Sequence, residues 1–304
     1  MYSDFILHSK RIKLYLKGVI IGVLAQALWV APCLASILQV AVSILPQRYF
    51  LEKIGGDKVK IVVMIPPGAN PALYDPAPKQ MAALSRCTLY FSIGVPFEKA
   101  WIKRFQKGAP HLKIVSTDRW ISKIPMKSKH HAHKSPNGHT THLDPHVWLS
   151  PPLVALQSRV ILDALCSAQP DSCGYFEKNY RNWANELVDL DIKLRGIFPP
   201  TLKARRFLIY HPAWGYFAAT YGLEQVPMEL EGKPPSPKLL GRFIEHAKKG
   251  GFKGLIVQPQ FSDRAAKIVA EQIGANILVV DPLAYNWKEN LLKSARIIRS
   301  ALRP

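Results

Sequence analysis

The sequence predicts an α/β fold: two α/β lobes with mainly parallel sheets, joined by one long rigid helix. Three observations predict it. Short strand-like runs alternate with short helical ones from Leu38 to Val115, and the same alternation starts again at Arg206 and continues to Leu302. Between the two sets, Tyr180, Trp183, Leu187, Leu190 and Leu194 recur three or four residues apart, with no Pro or Gly before Gly196. Strands that alternate with helices pair in parallel through right-handed crossovers. A chain of 304 residues, 48% of them hydrophobic, is long enough to bury two such cores.

The first set reads as a strand over Leu38 to Leu45, a helix over Arg48 to Ile54 closed by Gly55-Gly56, and a buried strand over Val59 to Ile65. Pro66 to Pro71 is too rich in Pro and Gly for either element and is predicted to be a loop. A short helix over Pro78 to Ser85, a strand over Leu89 to Ile93, an amphipathic helix over Pro96 to Gln106 and a strand over Lys113 to Val115 complete it. Helical spacing returns from Leu153 to Ala168. The connecting helix then runs from Tyr175 to about Phe198, where Pro199-Pro200 stops it. The second set comprises strands at Arg206 to Tyr210, Glu224 to Met228, Gly254 to Gln258 and Asn276 to Val280, with helices at Ala213 to Tyr221, Pro237 to Lys249, Arg264 to Ile273 and Trp287 to Leu302. The domains predicted are a first lobe over 36–172, a linker helix over 173–198 and a second lobe over 199–304.

Residues 1–35 read as a secretory signal peptide. Lys10, Arg11, Lys13 and Lys17 precede an apolar run from Gly18 to Ala31, and cleavage is expected near Ala35. That run is too short to span a bilayer, so an exported, periplasmic protein is expected. Export places the remaining cysteines in an oxidising compartment. Cys166 and Cys173 flank the turn at Gln169-Pro170-Asp171 and are the expected disulfide, while Cys87 lies in an apolar run and is expected to be a small buried residue. The formal net charge is +20, and loss of the leader, with four basic residues against Asp4, leaves about +17. The basic residues are dispersed and no nucleic-acid motif accompanies them, so a solvated basic surface is expected and no nucleic-acid partner.

Six of the ten histidines fall between Lys129 and Pro151: His130, His131, His133, His139, His142 and His146. From Lys129 to His142 the chain is polar, carries Pro136-Asn137-Gly138 and has no apolar period, which predicts a mobile loop. From Asp144 the segment DPHVWLSP is apolar and punctuated by proline, which predicts that His146 is held in place beside buried Val147 and Trp148. Neutral imidazole suits zinc, copper and nickel far better than calcium or magnesium.

Several segments, in order, resemble the periplasmic metal-binding solute-binding proteins of ABC transporters for zinc, manganese and iron. They are Pro66 to Pro71 with Tyr74-Asp75-Pro76, Leu89 to Gly94, Asp144 to Pro151, His211 to Phe217, Glu231-Gly232-Lys233, and Asp281-Pro282-Leu283. The histidine-rich loop ahead of Asp-Pro-His further resembles the zinc branch. The resemblance implies metal held in the cleft between lobes at strand ends, with His146, His211 and Asp281 as ligands. The family's fourth ligand, a histidine after Asn70-Pro71, corresponds here to Ala72. Water, Asp75, Glu231 or a loop histidine is left to complete the shell, or else binding is weakened; the loop histidines serve otherwise as an accessory, exchangeable reservoir.

The resemblance implies capture of zinc as transported cargo for a membrane permease and its ATPase, by a protein that is not an enzyme and is expected to be a monomer. Manganese or iron is the alternative cargo, although those harder ions draw on more carboxylate oxygen than this set supplies. A zinc hydrolase would suit an open fourth position, with Glu231 as its only candidate base, but neither HExxH nor GxSxG occurs. A metal-independent adhesin acting through the basic surface is the third alternative.

Overall fold

The computed structural model describes residues 37–126, 143–228, 237–261 and 264–303. The expected leader with its cleavage point near Ala35, the histidine-rich segment 129–142 and Glu231 lie outside the described residues. From Ile37 onward the chain forms one compact unit.

Two four-stranded sheets, all parallel, form its framework. Strands β1 (Leu38–Val42), β2 (Val59–Val63), β3 (Leu89–Ser92) and β4 (Lys113–Ser116) lie in the order β2-β1-β3-β4. Strands β5 (Arg206–Ile209), β6 (Glu224–Pro227), β7 (Gly254–Val257) and β8 (Asn276–Val279) repeat that order as β6-β5-β7-β8. The two α/β lobes are therefore present as expected. In each sheet the winding reverses between the first and third strands, and a crevice opens beyond the strand C-termini at such a reversal. The central strands are buried along nearly their whole length: Val40, Ala41, Tyr90, Phe91, Leu208, Ile209, Leu255 and Ile256 are all closed to solvent. Continuous apolar runs, rather than alternation, are what a sheet covered on both faces requires.

The helices are α1 (Leu45–Gly55), α2 (Pro78–Leu84), α3 (Pro96–Gly108), α4 (Pro151–Ala168), α5 (Cys173–Ile197), α6 (Gly215–Thr220), α7 (Pro237–Lys249), α8 (Arg264–Ile273) and α9 (Trp287–Ala301). The clearest departure from the sequence reading is at the first turn. The strand stops at Val42 and the helix starts at Leu45, because Gln47 Oε1 accepts the backbone N–H groups of Ser43 (3.1 Å) and Ile44 (3.3 Å), and Pro46 is tolerated in a first turn. Helix α4 likewise begins two residues earlier than expected, on Pro151-Pro152.

Helix α5 has 25 residues, so it is roughly 37 Å long. It buries Phe176, Trp183, Leu187, Leu190 and Leu194 and packs on α1, α4 and α9. Trp183 lies 6.1 Å from Phe50 of α1 and 5.9 Å from Trp287 of α9, ring centre to ring centre. Glu186 takes Lys53 at 2.9 Å and Lys288 at 2.8 Å, which ties α5 to both lobes. One apolar cluster runs from the first sheet through α5 into α6 and α9, and a smaller one fills the far face of the second sheet around Leu208, Phe243, Leu255 and Val269. Two indoles also cross the lobes: Trp148 Nε1 donates to the Pro282 carbonyl (2.7 Å), and Trp287 Nε1 donates to the Trp148 carbonyl (2.8 Å).

Cys166 and Cys173 stand at disulfide distance with Cα atoms 4.6 Å apart. Cys87 is free and buried, and burial pushes its thiol up to about 11. Among the described residues no helix is long and apolar enough to cross a membrane.

Candidate metal site in the interlobe cleft

A cavity of about 960 Å³ opens between the C-terminal ends of the two sheets. Asn70, Pro71 and Ala72 after β2, Gly94 after β3 and Asp118 after β4 line one side; His211 after β5, Gln260 and Phe261 after β7, and Pro282 and Leu283 after β8 line the other. His146 and Trp148 lie between them.

His146 is built into its place by the acid two residues before it. Asp144 Oδ1 accepts the backbone N–H of His146 at 2.9 Å and bonds its ring Nδ1 at 2.7 Å. Asp144 is 1% exposed and His146 8%. With Nδ1–H given to the carboxylate, Nε2 carries the lone pair that can bind a cation, and the ring is fixed in its orientation. The backbone around Asp144 is fixed in turn: its N–H donates to the Ile124 carbonyl (2.9 Å) and its carbonyl accepts from Tyr216 Oη (3.0 Å). A β-carbon at Gly215 would collide with Asp144 Oδ2, which explains glycine at that point of the His211–Phe217 segment.

His211 is held differently. It follows β5 by two residues, and Gln258, 2% exposed, clamps its backbone from both sides: the His211 N–H donates to Gln258 Oε1 (3.2 Å), and Gln258 Nε2 donates to the His211 carbonyl (2.8 Å). Its ring stacks on Phe261 at 4.5 Å and 26°. The two imidazoles, one from each lobe, lie 5.3 Å apart between ring centres at 72°. Two imidazoles sharing one tetrahedral ion through metal–nitrogen bonds of about 2.0–2.1 Å would stand roughly 5 Å apart.

Asp281 follows β8, and its Oδ1 accepts from Gln260 Nε2 at 2.6 Å and from the Leu283 N–H at 2.9 Å. It is not among the residues that line the cavity, although its neighbours Pro282 and Leu283 are. Among the described residues no three His, Cys, Asp or Glu side chains stand together as a ready-made metal cluster. The two histidines are brought together, and Asp281 is bonded to Gln260, which itself lines the cavity.

At the fourth position Ala72 lines the cavity, presented by a turn in which its N–H donates to Asn70 Oδ1 at 2.8 Å. Asp75 is exposed, accepts from Trp101 Nε1 at 3.2 Å and does not line the cavity. Glu231 and the loop histidines His130, His131, His133, His139 and His142 lie outside the described residues; Met126 and Leu143, on either side of that loop, both line the cavity.

The first lobe's wall also carries ionisable groups away from the histidines. Glu98, 3% exposed, accepts the N–H groups of Ile93 (2.9 Å) and Gly94 (2.7 Å) and the Ser43 hydroxyl, yet burial pushes its carboxyl up to about 7. Burial also acts to raise Asp118, but Lys123 at 2.5 Å and Ser116 hold its carboxyl below the ordinary value. Gly94, at φ 89°, leaves the space that the Lys123 ammonium fills.

Sequence reasoning missed Asp144 as the group that orients His146, and missed Gln258, Gln260 and Phe261 altogether. The Asp144-Pro145-His146 spacing held a signal for the first, because a carboxylate two residues from a histidine can reach its own segment's N–H and ring.

Fold and cavity together define a two-lobed α/β protein with two imidazoles facing each other in the cleft. The profile of the family described as zinc-uptake complex component A, periplasmic (ZnuA), matches residues 40–298, and the chain belongs to that family. The chain is 29% identical over 258 residues to the high-affinity zinc uptake system protein ZnuA of Bacillus subtilis (strain 168), covering 83% of this chain and 80% of that protein. It is 36% identical to a ZnuA crystal structure, with a TM-score of 0.80 over 88% of this chain and 99% of that one. A ZnuA deletion mutant with zinc bound matches to the same extent.

Proposed function

We propose that this protein is an exported receptor that captures zinc in the interlobe cleft and delivers it to a membrane permease driven by an ATPase, with no chemical step of its own on the ion. His146 from the first lobe and His211 and Asp281 from the second hold the cargo. Water or a further side chain takes the position that Ala72 leaves open, and the histidines of 129–142 act as a weaker accessory reservoir. The leader 1–35 is removed near Ala35, the lobes divide at 172 and 199, and the receptor works as a monomer with the Cys166–Cys173 disulfide closed.

The observation that carries this reading is the pairing of His146 with His211. They lie 65 positions apart in sequence, come from different lobes, and meet at the strand ends with Nε2 of His146 set free by Asp144. Family membership and the relatives' zinc-uptake descriptions support the choice of cargo. Two imidazoles and one carboxylate favour zinc over manganese on ligand chemistry.

The test is a competitive zinc titration of the purified chain against a chromogenic chelator, with manganese in parallel. One tight zinc site with weaker additional sites and poor manganese binding is expected. Weak binding that vanishes when 129–142 is deleted would overturn the cleft as the primary site.

A further inference from the structure

The segment Gln258-Pro259-Gln260-Phe261, which leaves β7, touches both second-lobe groups assigned above to the ion. Gln258 clamps the His211 backbone, Phe261 stacks on its ring, and Gln260 bonds Asp281. Gln260 is the informative member. Its amide can face Asp281 in only one sense, since two acceptor oxygens would repel at 2.6 Å; Nε2 therefore donates and Oε1 points away. That Oε1 is buried with no hydrogen-bond partner. An orphaned carbonyl oxygen is costly, so the amide is held by what its other end does.

What that end does is saturate one oxygen of Asp281. Oδ1 takes Gln260 Nε2 and the Leu283 N–H, while no hydrogen bond to Oδ2 is present among the described residues. The backbone of Asp281 is pinned as well, by Asn290 Nδ2 on its carbonyl at 2.7 Å. A carboxylate with one oxygen engaged twice and the other free offers a cation one oxygen, not two. One oxygen suits a four-coordinate ion; an ion that prefers six or more oxygen-rich ligands gains from a two-oxygen grip.

We propose that Gln260 is a positioning residue that restricts Asp281 to a one-oxygen grip and thereby sets the preference of the cleft for zinc over manganese. This rests on the reading that His146, His211 and Asp281 hold the ion. Gln260 acts through Asp281, and its loss frees the carboxylate to turn and offer both oxygens.

The experiment compares Gln260→Ala, Gln260→Leu and Asp281→Ala with the parent chain by zinc and manganese titration and by the visible spectrum of the cobalt(II)-loaded protein; the leucine variant keeps the side-chain volume. For both Gln260 variants, zinc affinity is expected to fall by about tenfold to a hundredfold. Manganese affinity is expected to hold or rise, and the cobalt bands to weaken as the ion leaves four-coordination. Equal loss for both metals, or an unchanged cobalt spectrum, overturns the proposal, since a merely structural role would not shift the ratio. If Asp281→Ala leaves zinc affinity intact, Asp281 is not a ligand and the underlying reading fails as well. If Asp281→Ala weakens zinc but neither Gln260 variant changes the metal ratio, only the role of Gln260 fails.

Discussion

The two walls of the cleft hold their groups with different chemistry. On the first lobe's side the supporting groups are mostly carboxyls: Asp144 on the His146 ring, Glu98 under the Gly94 turn, and Asp118 paired with Lys123, with the Asn70 amide at the Ala72 turn as the exception. On the second lobe's side they are amides: Gln258 on the His211 backbone, Gln260 and Asn290 on Asp281, and Gln225 on the Trp214 N–H and the Pro212 carbonyl. A carboxylate on an imidazole changes its electron density as well as its direction, whereas an amide changes direction alone. The carboxyl on the His146 ring therefore bears on charge as well as direction, and the amides opposite bear on geometry alone.

The largest expected effect breaks the pairing itself. His146→Ala and His211→Ala should each weaken zinc binding on the order of a thousandfold in the chelator titration, because one of few ligands is lost, while deletion of 129–142 should leave one tight site. Equal loss on loop deletion would mean that the two walls do not form the main site. Next, Ala72→His adds an imidazole where the Asn70 turn already presents position 72, and should tighten zinc by about tenfold or more; no gain would mean that the shell is already filled. Asp144→Asn keeps the shape and removes the charge, and should cost about tenfold to a hundredfold in zinc affinity. An unchanged affinity would show that Asp144 only positions, as the amides opposite do.

The smallest effect is on stability. Glu98 titrates near 7 when folded against an ordinary 4.5, so the folded chain keeps a proton that the unfolded chain releases across that window. Stability from this group is therefore fully present below about 4.5 and is lost as pH rises toward 7, by about 3 kcal/mol at most. Melting curves should show that slope in the parent chain and a flatter one in Glu98→Gln. Equal slopes would mean that Glu98 is ionised throughout.

Much of the fold was legible because its signals are local. Pro151-Pro152 and Pro199-Pro200 bracket the region of the two long helices, and the three-to-four spacing from Trp183 to Leu194 survives as the buried stripe of α5, with Tyr180 partly buried at its start. Helices α7 and α8 begin and end where their patterns do. The turn at Val42 was misread because its decisive contact is a side chain, Gln47, capping backbone that reads as strand. That His146 and His211 would meet at the cleft was legible through their segments. Gln258 and Gln260 were not, because their partners lie 47 and 21 positions away and amides form no recognisable spacing pattern.

The crossed indoles have one further consequence. Trp148 and Trp287 each fasten a backbone carbonyl across the lobes, and the apolar cluster beneath them is shared. A body so fastened has little slack with which to advertise its contents. Both indole bonds would have to break before the lobes could swing wide about α5, so the same pair of tryptophans that closes the core also opposes a large hinge motion.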